Sequence, residues 1–290
     1  MKVCLSCKSP FEAEDWRCTS CGRAPERIDG YLAFAPELAK SNDGYPEDMF
    51  ENLWAPEKEN FWRRARKRLF IWAHQRFFPG ASTFLEIGSG NGVNLMAFRT
   101  AFPDLVIWGS DAYTFGLEAI REKVEGVSLF QSDARFLPFR DQFDVIGAFD
   151  VLEHIDVDEE VLDAMFRATK PGGGILISVP QHPFLWSQRD ECLFHKRRYT
   201  RRDLLSKVSG AGFELEHVTS FITLPFPMMI LSAWRNRKPR EGYDPHKEVK
   251  LNRAANTAMN LILDGERQAI KAGLSLPFGG TLLAVAKKRR

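Results

Sequence analysis

The sequence predicts an α/β fold, a mostly parallel sheet with helices on both faces, preceded by a small cysteine-rich unit. Two observations carry this prediction. From residue 83 onward, short apolar segments typical of buried strands alternate with amphipathic segments typical of helices. Four cysteines fall in two Cys-x2-Cys pairs within the first 21 residues. The 290 residues are 44% hydrophobic, which is enough for a large buried core.

The amino-terminal cysteines are spaced as metal ligands. They are Cys4, Cys7, Cys18 and Cys21, with ten residues between the two pairs. Each Cys-x2-Cys turn directs two sulfur atoms at one point, and the second turn completes a tetrahedron that would hold a structural Zn²⁺. Two disulfides are the alternative, which we disfavour because no other feature suggests export. We expect a zinc ribbon over residues 1–35, with a short strand at 28–34 packed on it.

Residues 36–80 are expected to connect the ribbon to the main domain. The first part, 36–60, mixes turn formers with acidic and aromatic residues. Within 57–78 apolar residues recur every three to four positions, which predicts an amphipathic helix ended by a Pro-Gly pair. The basic residues between them, Arg66 included, are predicted to lie mostly on the solvated face.

The main domain, residues 81–290, alternates between the two element types. Strands are expected at 83–87, 105–109, 127–131, 143–149, 174–179 and 213–219, because each is short and apolar. Helices are expected at 93–100, 115–123, 158–169 and 201–210. A last strand, 281–287, follows only after a separation far longer than an ordinary connection. Residues 221–278 are therefore interpreted as an insertion, with a helix at 254–272.

Charge and hydropathy exclude several classes of protein. A net charge of +2 gives no overall polyelectrolyte character, although basic residues cluster at 63–68, 196–202, 235–240 and 287–290. No stretch approaches the ~20 apolar residues of a membrane span, and the first residues lack the apolar centre of a signal peptide. We expect a cytoplasmic protein, with a peripheral membrane contact left open.

A glycine-rich loop follows the first strand of the main domain. Gly88, Gly90 and Gly92 are spaced G-x-G-x-G, one residue short of the G-x-G-x-x-G of dinucleotide-binding folds. In a parallel sheet such a loop lies at the carboxyl ends of the strands, where ligands bind. Glu86 beside the loop would repel a pyrophosphate, but it suits a ligand that carries an ammonium and a sulfonium, such as S-adenosylmethionine (SAM).

Two further acids end the next two strands. Asp111 stands where an acid accepts hydrogen bonds from both ribose hydroxyls. Asp133 can accept from the adenine amino group, while the amide of Ala134 donates to a ring nitrogen. Taken singly, each acid could equally be a solvated strand end or a helix cap. Together with the loop, they favour SAM.

Five segments resemble the class I SAM-dependent methyltransferases in order and spacing. They are FLEIGSGNG, WGSDAY, QSDARFLPF, FDVIGAFDVLEHI and KPGGGILISVP, within residues 82–180. The resemblance implies a Rossmann-like, doubly wound sheet of seven strands whose last strand runs antiparallel. It also implies a set of cofactor contacts: Glu86, Gly88, Gly90, Gly92, Asp111, Ala112, Asp133, Ala134, Phe149 and Asp150. Of these, Phe149 or Asp150 would face the sulfonium.

The segment after the fifth strand, 181–200, is expected to form a lid over the active site. Its WS-x2-D-x4-H-x-RRY pattern resembles bacterial methyltransferases encoded with enzymes of polysaccharide and lipid-linked glycan synthesis. His195, oriented by Asp190, would be a general base, and His154 is a rival; each could instead have a purely structural role. Guanidinium groups match phosphate and carboxylate. The predicted acceptor contacts are Arg197, Arg198, Tyr199 and His182.

The insertion begins with an apolar stretch, FITLPFPMMILSAW, followed by the basic RNRKPR. This combination is typical of a peripheral membrane contact or a groove for a lipid tail. A dimer interface or a hydrophobic lid would use the same features, so these alternatives stay open.

The leading prediction is SAM-dependent O-methylation of a sugar, lipid-linked or small anionic acceptor, with N- or C-methylation less favoured. The first alternative is an RNA base methyltransferase, because ribosomal RNA guanine methyltransferases that resemble this chain also carry an amino-terminal four-cysteine zinc unit. Such an enzyme would use the basic clusters to bind phosphates. The second alternative is a non-catalytic module that binds SAM or zinc. The sequence predicts no oligomeric state.

Overall fold

The computed structural model describes residues 1–39, 60–238, 241–244 and 251–289. Most of the connector predicted at 36–60 lies outside the described residues, as does the end of the basic cluster at 235–240. Within the described ranges, the secondary structure follows the predicted alternation of strands and helices closely.

Short strands come first, and the longer ones belong to the main domain. The strands are β1 (Lys2–Val3), β2 (Pro10–Phe11), β3 (Glu26–Ile28), β4 (Tyr31–Ala33), β5 (Thr83–Ile87), β6 (Val106–Asp111), β7 (Val127–Gln131), β8 (Phe143–Phe149), β9 (Thr169–Pro180), β10 (Glu214–Phe221) and β11 (Thr281–Lys287). The helices are α1 (Pro36–Ala39), α2 (Phe61–Phe77), α3 (Val93–Ala101), α4 (Thr114–Lys123), α5 (Asp158–Ala168), α6 (Gln188–Cys192), α7 (Arg201–Gly210), α8 (Phe226–Arg235) and α9 (Arg253–Lys271).

The main sheet has the predicted topology at its centre. Within the described residues, nine strands pair in the order β10-β11-β9-β8-β5-β6-β7-β4-β3. Strands β5 to β9 are parallel to one another, and β11 pairs antiparallel with both β9 and β10. The seven strands from β10 to β7 thus form the doubly wound sheet with an antiparallel last strand.

The sheet carries two strands more than predicted. The hairpin of β3 and β4 adds to the edge of β7, where β4 runs parallel to β7. The short strand expected at 28–34 therefore extends the main sheet, and it does not pair with the strands of the ribbon. The physical reason is the edge of β7, whose backbone groups would otherwise have no strand beside them.

Side chains alternate between two cores, one on each face of the sheet. Phe84 packs into the core shared with α2, α3, α4 and α9, whereas Leu85 and Ile87 pack into the core shared with α5 and α7. Because successive strand residues point to opposite faces, Glu86 lies on the same face as Phe84. Both faces are covered, which explains why these strands are apolar throughout.

The insertion between β10 and β11 forms two helices, α8 and α9. Helix α9 lies against α2: the amide of Phe61 donates to Asn256 Oδ1 (2.8 Å), and Arg68 pairs with Asp264 (2.6 Å). The carboxylate of Glu266 accepts hydrogen bonds from the Thr223 and Leu224 amides, which fixes the start of the insertion. None of the described helices is long and apolar enough to span a bilayer.

Candidate functional site

The glycine loop makes a sharp turn between β5 and α3. Gly88, Gly90 and Gly92 all have positive φ, at 61°, 52° and 78°. A Cβ at Gly88 would lie 2.5 Å from Cγ2 of Val151, and one at Gly92 would lie 2.6 Å from Cγ1 of Ile120. Both the backbone angle and the close packing therefore require glycine at these two positions.

Glu86 is buried at the base of this loop. Asn94 donates to its Oε1 at 2.8 Å, but its Oε2 has no hydrogen-bond partner among the described residues. Burial raises the pKa of Glu86 to about 8, although the bond from Asn94 opposes the shift. A cationic group beside Oε2 would supply the missing partner and favour the ionised form.

Asp111 closes the loop from the neighbouring strand. Its Oδ2 accepts from the amide of Gly90 at 2.8 Å, and its Oδ1 accepts from the amide of Tyr113 at 3.1 Å. Burial raises the pKa of Asp111 above its ordinary value, and the backbone hydrogen bonds oppose that shift. These contacts orient the carboxylate at the carboxyl end of β6, with Ala112 beside it on the cavity wall.

The third acid, Asp133, is already engaged. Its carboxylate accepts three hydrogen bonds from the side chain of Arg135, the shortest at 2.6 Å, and one from the Arg135 amide at 2.9 Å. Asp133 and Ala134 both line the cavity. An adenine amino group would therefore have to share this carboxylate with Arg135 or displace it.

Phe149 and Asp150 follow β8 and meet helix α2. The ring of Phe149 stacks on Phe70, with centroids 4.0 Å apart. Asp150, at φ 57°, forms an ion pair with Arg66, whose guanidinium also donates to Ser178 Oγ at 2.8 Å. The prediction that Arg66 faces solvent is wrong: it is 6% exposed, and its side chain forms part of the cavity wall.

The predicted base and its acid are in contact. Asp190 Oδ1 lies 2.9 Å from His195 Nδ1, and both Asp190 oxygens accept from Arg198. Burial acts to raise the pKa of Asp190, but the hydrogen bonds from His195 and Arg198 outweigh it and the pKa lies below its ordinary value. His154 packs edge-on against His195, with ring centroids 4.9 Å apart. Burial lowers the pKa of His154 to about 4.

Two predicted acceptor contacts converge instead on a buried acid at the start of α5. Asp158 accepts from Tyr199 Oη (2.5 Å), Arg197 Nη1 (3.2 Å) and Lys207 Nζ (2.6 Å). Burial, followed by the bond to Asp158, raises the pKa of Tyr199. Neither Arg197 nor Tyr199 is among the residues that line the cavity. Both attach the end of the lid to α5, which corrects the expectation that they grip an acceptor.

The other two predicted acceptor contacts have different surroundings. Arg198 lines the cavity, but its guanidinium is committed to Asp190 through Nε (2.7 Å) and Nη2 (3.0 Å). His182 lies outside the cavity lining and packs against Phe184 and Phe226, with centroids 5.1 Å away in each case. The structure therefore does not bring His182 to the site.

One cavity of about 1380 Å³ unites these features. Typical small-molecule pockets have about 300–1,000 Å³, so this one has room for a second ligand beside a nucleoside cofactor. Its wall includes the glycine loop, the three strand-end acids, the lid and parts of α2 and α8. Basic residues on the wall, in addition to those already placed, are Arg63, Lys67, Arg189, Lys196 and Arg235.

The residues at the glycine-loop end fit SAM. Among the described residues, three buried polar atoms that face this end have no hydrogen-bond partner: Glu86 Oε2, Asn91 Nδ2 and Ser132 Oγ. Buried polar groups are normally paired, so these atoms indicate a polar ligand. Glu86 suits an ammonium, and Asp111 and Ser132 suit ribose and adenine donors and acceptors.

The four cysteines form a separate cluster on the amino-terminal unit. Their sulfur atoms lie within 4.8 Å of one another, with Cys4 and Cys21 sulfurs 3.6 Å apart and Cys7 and Cys18 sulfurs also 3.6 Å apart. A tetrahedron with Zn–S bonds of 2.3 Å has edges of about 3.8 Å. All four thiols are free, and the 3.6 Å separations exceed the S–S bond length of about 2.05 Å in a disulfide. The donor set and its spacing fit Zn²⁺.

Comparisons with known proteins show the family of the chain. A family model described as a methyltransferase domain matches residues 55–218, more than half of the chain. A "probable S-adenosylmethionine-dependent methyltransferase" of Mycolicibacterium smegmatis is 26% identical over 162 residues, which covers 55% of this chain and 62% of that protein. A tRNA (guanine-N(7)-)-methyltransferase of Roseobacter denitrificans is 26% identical over 191 residues, covering 58% of this chain and 73% of that protein.

A solved structure supports the fold. A SAM-dependent methyltransferase of Thermotoga maritima, described as a possible histamine N-methyltransferase, has a TM-score of 0.50 at 19% identity, over 84% of this chain and 100% of that one. At this identity the likeness concerns the fold alone. The chain belongs to the methyltransferase-domain family. Its main domain is a class I SAM-dependent methyltransferase domain, and the chain spans 62% of the length of the Mycolicibacterium relative.

Three wall residues were not predicted as functional. Arg66 escaped notice because helical periodicity cannot show that a polar face closes a cavity instead of meeting water. Arg135 forms an ion pair with Asp133, only two residues away, and so local a contact did not suggest a role in the site. Glu153 follows the apolar segment FDVIGAFDVL, and an acid so close to a buried strand was the available signal.

Proposed function

We propose that the protein uses SAM to methylate an oxygen of an anionic acceptor that carries an apolar, lipid-like part. The observation that carries this proposal is the cavity itself. One end has the acids and unpaired polar atoms that suit SAM, and the other end is bordered by basic residues and by exposed apolar side chains of α8. A single space therefore offers the cofactor and acceptor sites that direct transfer needs.

Charge separates the two ends. Glu86, Asp111 and Asp133 surround the expected position of the cofactor, whereas Lys196 and Arg189 belong to the lid side. Lys196 is half exposed and lies 3.9 Å from Asp156. Such cations favour a phosphate or carboxylate on the acceptor.

The border of the cavity is unusually apolar for a protein surface. Met228 and Leu231 line the cavity and are 60% and 45% exposed, and Leu224 and Trp234 beside them are 63% and 66% exposed. Clusters of exposed apolar residues mark binding surfaces. Basic residues at the end of the same helix, such as Arg235, would meet anionic head groups if α8 rested on a membrane. This supports a lipid-linked acceptor presented at a membrane surface.

The chain's own residues supply orientation and a proton acceptor. When bound, SAM supplies a methyl group on a sulfonium, and its transfer leaves the neutral thioether S-adenosylhomocysteine. Asp190 holds His195 through Nδ1, so the neutral imidazole presents Nε2 as a proton acceptor. An acceptor hydroxyl would pass its proton to Nε2 of His195 as the new oxygen–carbon bond forms. Phe149 and Asp150 would bound the space in which the sulfonium lies.

We further propose that the cysteine cluster holds a structural Zn²⁺ and supports the main domain. The amide of Val3 donates to Pro138 carbonyl at 3.0 Å, and Trp16 packs edge-on against Phe139, with centroids 5.6 Å apart. These contacts brace the loop that follows Asp133. The ribbon would therefore stabilise the adenine end of the site.

Partitioning of labelled methyl groups tests the proposed acceptor class. The purified protein is incubated with methyl-labelled SAM and a cell extract, and the products are divided into organic-extractable, water-soluble and ribonuclease-sensitive fractions. We expect label in the organic-extractable fraction and a large loss of it in Met228→Ser, but not in the matched variant Val106→Ser. Val106 is also exposed, at 51%, but it begins β6 at the amino ends of the parallel strands, whereas the glycine loop and the strand-end acids of the cavity lie at their carboxyl ends. Label confined to water-soluble products would contradict the lipid-like part of the proposal.

RNA is the second candidate. The similarity to a tRNA methyltransferase, over 58% of this chain, supports it, as does the four-cysteine unit. If RNA is the substrate, ribonuclease releases the label and binding weakens steeply with salt. The apolar border of the cavity favours the lipid-linked acceptor over this alternative.

A further inference from the structure

Glu153 is a buried acid that the proposed reaction leaves without a role. Its side chain is 0% exposed, and apart from its own backbone amide neither carboxylate oxygen has a hydrogen-bond partner among the described residues. Protonation would not solve this problem, because a carboxylic acid also needs partners for its donor and its acceptor. The geometry therefore indicates a bound group that either contacts both carboxylate oxygens of Glu153 or interacts strongly with one of them.

Two histidines complete a cluster around this acid. One ligand atom each from Glu153, His154 and His195 lies within 4.8 Å of the others, and all three residues line the cavity. Ligands at right angles around an ion with bonds of 2.1 Å lie about 3.0 Å apart, so small side-chain rotations would bring these atoms together. Val151, two residues before Glu153, touches Gly88, which puts the cluster beside the methionine end of the cofactor site.

Outer contacts already orient the histidines as metal ligands. Asp190 accepts from His195 Nδ1, which leaves the lone pair of Nε2 directed away from Asp190. Metal-binding histidines usually have such a carboxylate or carbonyl on the other ring nitrogen. His154 makes a hydrogen bond with the backbone of Phe194. The arginines nearest to Glu153, Arg66 and Arg198, are already ion-paired with Asp150 and Asp190.

We propose that Glu153, His154 and His195 bind one divalent transition-metal ion, distinct from the zinc of the ribbon. Two imidazoles and one carboxylate suit Mn²⁺, Fe²⁺ or Zn²⁺ and leave coordination positions open. This inference deepens the proposed function and rests on it in one respect: the open positions would take the acceptor oxygen. His195 would then act as a ligand and not as the base, the ion would lower the pKa of the hydroxyl, and its proton would pass to water in the cavity.

A manganese titration tests the site independently of activity. Mn²⁺ is the probe because it prefers nitrogen and oxygen ligands, so it should leave the thiolate zinc in place. The 290-residue, zinc-loaded protein is titrated and free Mn²⁺ is measured by electron paramagnetic resonance. We expect one Mn²⁺ per chain, bound more than tenfold more weakly in Glu153→Gln. The matched variant Glu160→Gln removes an exposed acid from α5 and should bind as the wild type does.

The possible outcomes separate the two proposals. If the wild type binds no Mn²⁺ and no second Zn²⁺ at millimolar concentration, the metal site is refuted; methyl transfer that continues without added metal then leaves the proposed function intact. Equal affinities in wild type and Glu153→Gln also refute the site. Should Glu153→Gln unfold in a thermal melt, His154→Gln replaces it with the same expected loss. Binding of Mn²⁺ without any methyl transfer supports the metal site and contradicts the proposed function.

Discussion

Replacing Glu86 with glutamine should change how cofactor affinity depends on pH. Burial holds the pKa of Glu86 at about 8 in the cofactor-free protein, against an ordinary value of 4.5. The folded carboxyl is therefore mostly protonated at neutral pH, and a cationic ligand must first ionise it. From pH 6 to pH 7.5 the ionised fraction rises from about 1% to about 24%, so wild-type affinity for S-adenosylhomocysteine should rise severalfold, with about twentyfold as the upper limit.

The expected difference in cofactor affinity between the wild type and Glu86→Gln follows from the same pKa. A hydrogen bond to a charged group contributes about 1.5–3 kcal/mol. Ionising Glu86 costs about 0.8 kcal/mol at pH 7.5 and about 2.7 kcal/mol at pH 6. Glu86→Gln should therefore bind about 3- to 40-fold more weakly at pH 7.5, and about equally at pH 6. Its folding stability should hardly change, because glutamine resembles the protonated acid in size and charge.

Isothermal titration calorimetry with S-adenosylhomocysteine at four pH values between 6.0 and 7.5 measures these affinities. The upper limit keeps more than half of the cofactor ammonium charged, since α-amino groups titrate at about 7.7–8.0. Glu122→Gln, which removes an exposed acid from α4, is the control and should retain the wild-type pH dependence. Wild-type affinity that is constant over this range, or an equal slope in Glu86→Gln, would refute the reasoning.

Three further predictions concern other parts of the molecule. Burial lowers the pKa of His74 to about 4, so the unfolded state binds a proton more readily than the folded state, and folding stability is lost as the pH falls below about 6.5. At pH 4.5 this loss is about 2.5 kcal/mol, and urea unfolding of His74→Phe should lack it. A loss that is unchanged in His74→Phe would contradict this assignment. Cys18→Ser should reduce bound zinc, measured by mass spectrometry, from one ion per chain to nearly none, and it should accelerate hydrogen exchange in residues 1–25. Full retention of zinc would argue against the tetrathiolate site. Gly88→Ala should destabilise the fold by about 1–3 kcal/mol in denaturant unfolding, because the backbone there has a positive φ and the new methyl group would lie 2.5 Å from Val151. The control Gly80→Ala should leave the stability unchanged, because nothing lies within 4 Å of its methyl group. Equal stabilities of the two variants would exclude this strain.

The cofactor end of the site could be anticipated because its geometry is local. A glycine loop after a buried strand, with acids at the ends of the next two strands, fixes positions through the topology of a parallel sheet. The structure brings Glu86, Asp111 and Asp133 to one cavity, as the sequence indicates. The engagement of Asp133 by Arg135 was not anticipated, because spacing does not reveal which neighbour a flexible side chain will choose.

The acceptor end depends on contacts between distant parts of the chain. Arg197 and Tyr199 turn towards Asp158, some forty positions earlier, and no local pattern reveals that choice. Arg66 lies on the polar face of α2, yet the ion pair with Asp150 buries it. The hairpin of β3 and β4 joined the main sheet because the edge of β7 was open, which only the assembled sheet shows.

A crystal structure with S-adenosylhomocysteine tests the central claim most directly. We predict the ligand in the cavity at the carboxyl ends of β5 to β8. Its amino group should lie within hydrogen-bond distance of Glu86 Oε2, its ribose hydroxyls on Asp111, and its adenine beside Asp133 and Ala134. The thioether sulfur should face the space bounded by Phe149, Asp150 and the lid. Binding outside this cavity, or an amino group remote from Glu86, would contradict the account.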